Sequence, residues 1–119
     1  MSQSTNRRAH QRYQLHLNAA LHIGEVERTA TTRDLSEGGA CIELAYALAE
    51  GAELDLALFV VVDGIEDATT PPLRTRARVQ WTADNEDAPA ATRHLAGLKF
   101  DALTDAQRAW LQAAIARAG

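Results

Sequence analysis

Two short polar segments of the sequence contain the residue types that could bind an anionic ligand. The first carries three arginines, Arg7, Arg8 and Arg12, in a stretch without an acidic residue before position 25. The second begins 22 residues after Arg12 and reads Asp-Leu-Ser-Glu-Gly-Gly over residues 34–39. Guanidinium groups bind phosphate as a planar fork, and they also pair with or stack on purines. Together the two segments favour a ligand that is anionic and also offers hydrogen-bond donors, and a phosphorylated purine meets both conditions.

Each residue of the second segment has a ligand-binding and a structural interpretation. The Asp34 carboxylate can accept hydrogen bonds from donors on the edge of a purine, or it can end a strand in a turn. The Ser36 hydroxyl can donate to a purine or phosphate oxygen, or it can cap the same turn. We expect Gly38 and Gly39 to provide positive φ and room for close backbone approach rather than a specific contact.

Composition and charge limit the classes of protein to which this chain can belong. Its 119 residues, 46% of them hydrophobic, suit one globular domain with its own core. A net charge of −4 argues against general nucleic-acid binding. The longest apolar run, Leu56 to Val62, is far too short to span a bilayer, so we expect no membrane insertion. One cysteine, Cys41, and an N-terminus unlike a signal peptide predict a buried thiol and a cytoplasmic protein.

The hydrophobic pattern of most of the chain predicts β-strands. Six short stretches separated by turn signals have the pattern of strands, several of them with clear apolar–polar alternation, and they are residues 15–23, 26–33, 40–44, 54–62, 74–81 and 95–100. Thr104 is then a suitable N-cap for a helix with an apolar face of Leu103, Ala106, Trp110, Leu111, Ala113 and Ile115. This order predicts a mainly β fold, a six-stranded antiparallel β-barrel with a C-terminal α-helix across its mouth. Residues 1–12 offer almost nothing to bury and are predicted to form a flexible arm before the barrel domain, residues 13–119.

Alternation also predicts which way the side chains of the fifth strand point. Trp81 has the same parity as Val79 and is expected in the core, with stacking on a purine as the alternative. Arg74, Arg76 and Arg78 have the opposite parity, so they are expected on a solvated face of the barrel. Arg78 is also a candidate for the ligand site.

Four short motifs, in order along the chain, resemble those of the PilZ domain, a bacterial receptor module for cyclic di-GMP (c-di-GMP). They are Arg-x-x-x-Arg at residues 8–12, Asp-x-Ser-x-x-Gly at 34–39, Val-x-Trp at 79–81 and Gly-Leu-Lys-Phe at 97–100. The resemblance extends over residues 7–117, nearly the whole chain. It implies a six-stranded barrel that binds c-di-GMP on its outer surface, with the N-terminal arm wrapped across that surface.

The resemblance also implies a set of site residues and a state of the ligand. The implied ligand-binding residues are Arg7, Arg8, Arg12, Asp34, Ser36, Gly38 and Gly39. Two further candidates for ligand contact are Trp81 and Arg78. In this family the position of Arg7 is linked to whether one ligand or a stacked pair is bound. An arginine there favours a stacked c-di-GMP dimer, and no other cofactor or metal is expected.

A binding module is favoured over an enzyme, because the sequence has no nucleophile elbow, no Walker-type phosphate loop and no metal-binding cluster. We expect a receptor or adaptor that orders its arm when c-di-GMP binds and then signals to an unidentified effector protein. The alternative is a ligand-independent PilZ-like interaction protein, for example in type IV pilus assembly. The intact arginine motif speaks against that alternative, and nucleic acid is not an expected partner.

Overall fold

Eight β-strands and one α-helix make up the part of the chain that the computed structural model describes, residues 16–62, 64–67 and 69–118. The strands are β1 (Asn18–Ile23), β2 (Val26–Leu35), β3 (Gly39–Leu44), β4 (Glu53–Phe59), β5 (Val61–Val62), β6 (Ile65–Glu66), β7 (Leu73–Asp84) and β8 (His94–Phe100). The helix α1 is Asp105–Ala118, and a short 3₁₀ helix, Ala90–Thr92, precedes β8.

Six of these strands form a closed antiparallel barrel in the order β1-β2-β3-β8-β7-β4, while β5 and β6 form a separate hairpin. The barrel is closed by the pairing of β1 with β4, in which Ala20 lies opposite Ala57. Alternate side chains fill the interior, and Leu21, Ile42 and Leu58 are completely buried there. The predicted mainly β fold, a six-stranded barrel with a C-terminal helix, is confirmed.

Two β-bulges reverse the direction of side chains on the strands that flank the β3–β8 pair. In β2 the register against β3 shifts between Thr32 and Asp34, and in β7 the register against β8 shifts between Val79 and Trp81. Each bulge inserts one extra residue, so the residues after it point to the face opposite to that given by simple alternation. The expectation that Trp81 lies in the core is therefore wrong, and the residue is 41% exposed on the outside of the barrel.

The fourth strand ends earlier, and the second strand later, than the sequence pattern predicts. β4 stops at Phe59, because beyond this point its neighbours β1 and β7 provide no pairing partner. The chain then leaves the barrel for the β5–β6 hairpin, and Val62 is exposed instead of buried. β2, by contrast, continues through Leu35, so the first two residues of the 34–39 segment belong to the strand rather than interrupting it.

Helix α1 begins with a capping box at the predicted N-cap. The Thr104 hydroxyl accepts a hydrogen bond from the Gln107 backbone N–H at 3.1 Å, and Gln107 Oε1 accepts one from the Thr104 N–H at 2.7 Å. Leu111 is completely buried in the core of the barrel. Gln112 Nε2 donates to a carboxylate oxygen of Glu37 at 2.9 Å. The helix therefore closes the end of the barrel at which the β2–β3 turn lies.

The buried face of α1 differs in part from the predicted one. Ala106 and Ala113 are exposed, whereas Ala114 is buried beside Leu111. In a helix of 3.6 residues per turn, Ala113 lies about 200° around the axis from Leu111, so both cannot meet the barrel. Within the described residues, no helix combines the length and the apolar character needed to cross a membrane.

Candidate ligand-binding face

Four residues lie side by side on the outside of the barrel, and we call them the outer row. Asp34 of β2 is paired with Cys41 of β3. Gly97 of β8 is paired with Cys41 on one side and with Trp81 of β7 on the other. Residues of the outer row point outward, because their neighbours in β3 and β8 point into the core. Without the two bulges, Asp34 and Trp81 would point inward, so the bulges bring a carboxylate and an indole onto one face.

The spacing of the strands sets the size of this face. Three strand separations lie between Asp34 and Trp81, so the outer row is about 14 Å long. Cys41 is buried as predicted, with 5% exposure, but it belongs to the outer row and not to the hydrophobic core cluster. The middle of the outer row thus consists of two small residues, between the larger groups at its ends.

The indole of Trp81 lies over Gly97. A Cβ atom at position 97 would overlap Nε1, Cε2 and Cδ1 of the ring, so glycine is the residue that leaves room for this placement. An aromatic ring that is supported by a strand and partly exposed is a surface on which a purine can stack. Stacking of a guanine on Trp81 stays a prediction, while the competing core interpretation is excluded.

The turn between β2 and β3 is held together by Ser36. This residue is 3% exposed, and its Oγ accepts hydrogen bonds from the backbone N–H groups of Gly38 and Gly39, both at 3.2 Å. The same hydroxyl can donate to the Gly39 carbonyl at 3.2 Å, and the Ser36 N–H donates to that carbonyl at 2.9 Å. Ser36 therefore caps the turn, as its structural interpretation requires. A direct contact between its hydroxyl and a ligand stays a prediction.

Gly39 is needed because two strands approach closely, not because of an unusual backbone angle. Positive φ angles among the described residues occur at three other glycines, Gly24, Gly51 and Gly64. The expected positive φ at Gly38 and Gly39 is therefore wrong. A Cβ atom at position 39 would overlap the backbone oxygen of Leu98, which belongs to the adjacent strand. The Gly38 carbonyl also accepts a hydrogen bond from the Phe100 N–H at 2.9 Å, so both glycines join the turn to β8.

The next row of outward residues, on the side of the β2–β3 turn, carries two cations. Paired in order across four strands, it consists of Gly39, Lys99, Arg78 and Glu53. Arg78 donates to Glu53 at 3.0 Å, and Arg76 lies 3.4 Å from the other oxygen of the same carboxylate.

Arg74, Arg76 and Arg78 are all exposed, so the predicted solvated face is confirmed. Lys99 is exposed too, and no acidic side chain of the described residues forms an ion pair with it.

The described chain begins beside this face. Outside the described residues lie the predicted boundary between arm and barrel at position 12 and three predicted site residues, Arg7, Arg8 and Arg12. His16 Nδ1 lies 3.1 Å from the backbone oxygen of Thr32, the last residue before the bulge in β2. The chain thus joins the barrel two residues away from Asp34, at the end where the β2–β3 turn lies.

Two surface grooves occur elsewhere on the barrel. One, with a volume of about 530 Å³, lies over β1 and β2 and is lined in part by Glu27, Glu43 and Glu66. The other, of about 790 Å³, lies between β4, β7 and the start of α1, and its lining includes Arg74 and Gln107. No residue of the outer row or of the β2–β3 turn lines either of these two grooves.

Gly97 and Lys99 are among the residues of this face that are missing from the site residues predicted from the sequence. Both belong to the Gly-Leu-Lys-Phe motif, and alternation alone shows that they share one face of β8. The sequence does not show that β8 pairs with β3 on one side and β7 on the other. That pairing places Gly97 beneath Trp81 and Lys99 opposite Gly39.

The model of the PilZ domain family matches residues 6–117. The chain belongs to the PilZ domain family. PilZ domains are ligand-binding regulatory domains. Comparison with curated proteins gives no match.

Solved structures with the same fold include other PilZ domains. The PilZ domain with c-di-GMP of YcgR from Escherichia coli has a TM-score of 0.74 and 16% identity, over 94% of this chain and 91% of that one. The Bacillus subtilis inhibitor of motility MotI/DgrA has a TM-score of 0.71 and 18% identity, over 93% of this chain and 50% of that one. The PilZ domain described here thus spans half of that protein. At these identities the similarity establishes the fold.

Proposed function

We propose that this PilZ domain is a cytoplasmic receptor for c-di-GMP, which orders its N-terminal arm on binding and signals to a partner protein. The observation that carries the proposal is the outer row, where two bulges place Asp34 and Trp81 on one face beside the β2–β3 turn. Membership of the PilZ family and the shared fold with a YcgR domain that contains c-di-GMP support this choice of ligand.

The groups on the face suit the parts of a guanine dinucleotide. The Asp34 carboxylate accepts from the N1–H and exocyclic amine of a guanine, a donor pair that adenine lacks. The partly exposed indole of Trp81 stacks on a purine. Ser36 and Gly39 hold the turn in the shape that presents Asp34. We propose that the ligand contacts the edge of this turn, at the hydroxyl of Ser36 or the backbone of Gly38.

We propose that the arginines of the arm bind the ligand at this face, because the described chain begins beside it. Arg12 precedes His16 by four residues, and an extended chain of that length spans at most about 14 Å. Since His16 contacts Thr32 beside the bulge, Arg12 is within reach of the Asp34 end of the outer row. We propose that the arm is mobile in the free protein and becomes ordered when its guanidinium groups bind the phosphates and purines. Ordering costs binding free energy but creates a new surface for an effector protein.

The first prediction tests both the ligand and the role of Asp34. In calorimetric titrations, wild type binds c-di-GMP in preference to cyclic di-AMP, and Asp34→Ala loses at least tenfold in affinity for c-di-GMP but less for cyclic di-AMP. The loss corresponds to one or more hydrogen bonds to a charged acceptor, each worth ~1.5–3 kcal/mol. Asp87→Ala, which removes an exposed acid from the β7–β8 loop, serves as the charge-matched control and binds like wild type.

Two results of these titrations would contradict the proposal. Equal affinity of wild type for the two dinucleotides would exclude recognition of the guanine edge by Asp34. Absence of binding to either dinucleotide would overturn the receptor function and leave the ligand-independent interaction protein as the better interpretation.

The second prediction concerns stoichiometry. We propose that c-di-GMP binds as a stacked pair, because three guanidinium groups at Arg7, Arg8 and Arg12 can neutralise more phosphates than two. Wild type then binds two ligands per chain, and Arg7→Leu shifts toward one. Arg93→Leu, at an exposed position near the opposite end of the barrel, keeps two. One ligand per wild-type chain in the calorimetric titration would exclude the pair without affecting the receptor function.

A further inference from the structure

We propose that Lys99 is a further ligand-binding residue, whose ammonium group binds a phosphate of the dinucleotide from the β8 side of the site. This inference rests on the proposed function and assigns a phosphate contact to the barrel itself, in addition to those of the arm. Its basis is the position of Lys99, its lack of an ion-pair partner among the described residues, and the distribution of charge around the outer row.

Lys99 lies next to the candidate site and points toward solvent. It is opposite Gly39 in β3 and opposite Arg78 in β7. Lys99 and Asp34 are two strands apart across the sheet and two residues apart along the strand direction. Their Cα atoms are therefore about 12 Å apart. Gly39 has no side chain to cover the lysine on the side of the β2–β3 turn. The flexible stem of Lys99 can therefore carry its ammonium group over the outer row.

The other cation of the same row is already neutralised. Arg78 forms an ion pair with Glu53 at 3.0 Å, and Arg76 lies near both Glu53 and Asp55. Among the described residues, no carboxylate forms an ion pair with Lys99. An anionic ligand could thus pair with Lys99 without displacing a carboxylate, whereas at Arg78 it would compete with Glu53.

Charges on the two sides of the outer row differ in sign. On one side lies the row of Gly39, Lys99, Arg78 and Glu53, in which Arg78 and Glu53 offset each other and Lys99 leaves a net positive charge. On the other side, Glu43 follows Cys41 by two residues in β3 and points to the same face. Glu43 repels a phosphate and Lys99 attracts it, so we expect the phosphates of the bound dinucleotide to lie on the Lys99 side of the outer row. The N-terminal chain also reaches the barrel on this side, so arm and lysine would bind the ligand together.

Lys99 is the only lysine in the chain, and this allows its amine to be followed directly. We would treat the wild-type protein with an amine-acetylating reagent, with and without saturating c-di-GMP, and measure acetylation by mass spectrometry. Acetylation of Lys99 is expected to slow at least fivefold when the ligand is bound, whereas acetylation of a lysine-containing reference peptide added to the same mixture should be unchanged. An unchanged rate at Lys99 under saturation would overturn the inference.

A mutational series tests whether protection reflects a phosphate contact. Lys99→Met is expected to weaken c-di-GMP binding five- to thirtyfold, and the loss should shrink as salt screens the charge. Lys99→Arg keeps the cation and stays within threefold of wild type. Arg93→Met removes an exposed cation far from the face and serves as control. Thermal unfolding of each variant confirms that the barrel is intact.

The outcomes separate this inference from the proposed function. If wild type binds c-di-GMP and Lys99→Met binds it equally well, Lys99 is a solvated surface residue and the receptor function stands. If wild type does not bind c-di-GMP, both proposals fail.

Discussion

Replacing either Arg8 or Arg12 by alanine is expected to weaken c-di-GMP binding ten- to a hundredfold. Each change removes charge-assisted hydrogen bonds worth ~1.5–3 kcal/mol, while every core residue of the described barrel is left in place. Calorimetric titration of the two variants measures the loss, and thermal unfolding should give midpoints close to that of wild type. Arg108→Ala is the matched control, because this arginine is paired with Asp105 on the exposed side of α1.

The same two variants test the proposed ordering of the arm. Backbone NMR relaxation of residues 1–12 in wild type should change from fast, large-amplitude motion to restricted motion when c-di-GMP is added. The change should be smaller in Arg12→Ala at equal saturation of the site. Wild-type affinity in both variants would remove the arginines from the mechanism. An arm that is equally rigid with and without ligand would exclude the ordering step while leaving c-di-GMP binding intact.

Gly39→Ala is expected to destabilise the fold by roughly 2–3 kcal/mol, which lowers the midpoint of thermal unfolding by roughly 10 °C or more. The added Cβ would overlap the backbone oxygen of Leu98, and backbone in a closed barrel cannot move aside as a side chain can. Thermal and chemical unfolding measure the loss. Binding of c-di-GMP should also weaken, because the β2–β3 turn is attached to β8 at this point.

Gly97→Ala is the informative comparison for this substitution. Its Cβ would overlap the indole of Trp81, which can swing away because the ring is at the surface. We therefore expect a smaller loss of stability than in Gly39→Ala, together with a change in Trp81 fluorescence in a Trp110→Phe background. Equal stability of Gly39→Ala and wild type would show that β3 and β8 do not approach as closely as described.

The sequence alone determined the main elements of this fold. Period-two alternation places one parity of β1 and of β4 in the core, as at Leu21, Leu56 and Leu58. The Thr104–Gln107 capping box marks the start of the helix through purely local hydrogen bonds. The family motifs also identify the β2–β3 turn, since Ser36 accepts hydrogen bonds from the backbone of the two glycines that follow it closely in sequence. These features are predictable because their causes are close together in sequence.

The direction of Trp81 and the composition of the binding face were decided by the tertiary structure. A bulge depends on how two strands pair, and the alternation within one strand does not reveal it. Asp34 and Trp81 share a row because β2 has a bulge in its pairing with β3 and β7 has a bulge in its pairing with β8. Lys99 faces the site for a related reason, because non-local pairing places β8 beside the β2–β3 turn. The chemistry of each residue was thus present in the sequence, but its position relative to the others came from pairing between distant strands.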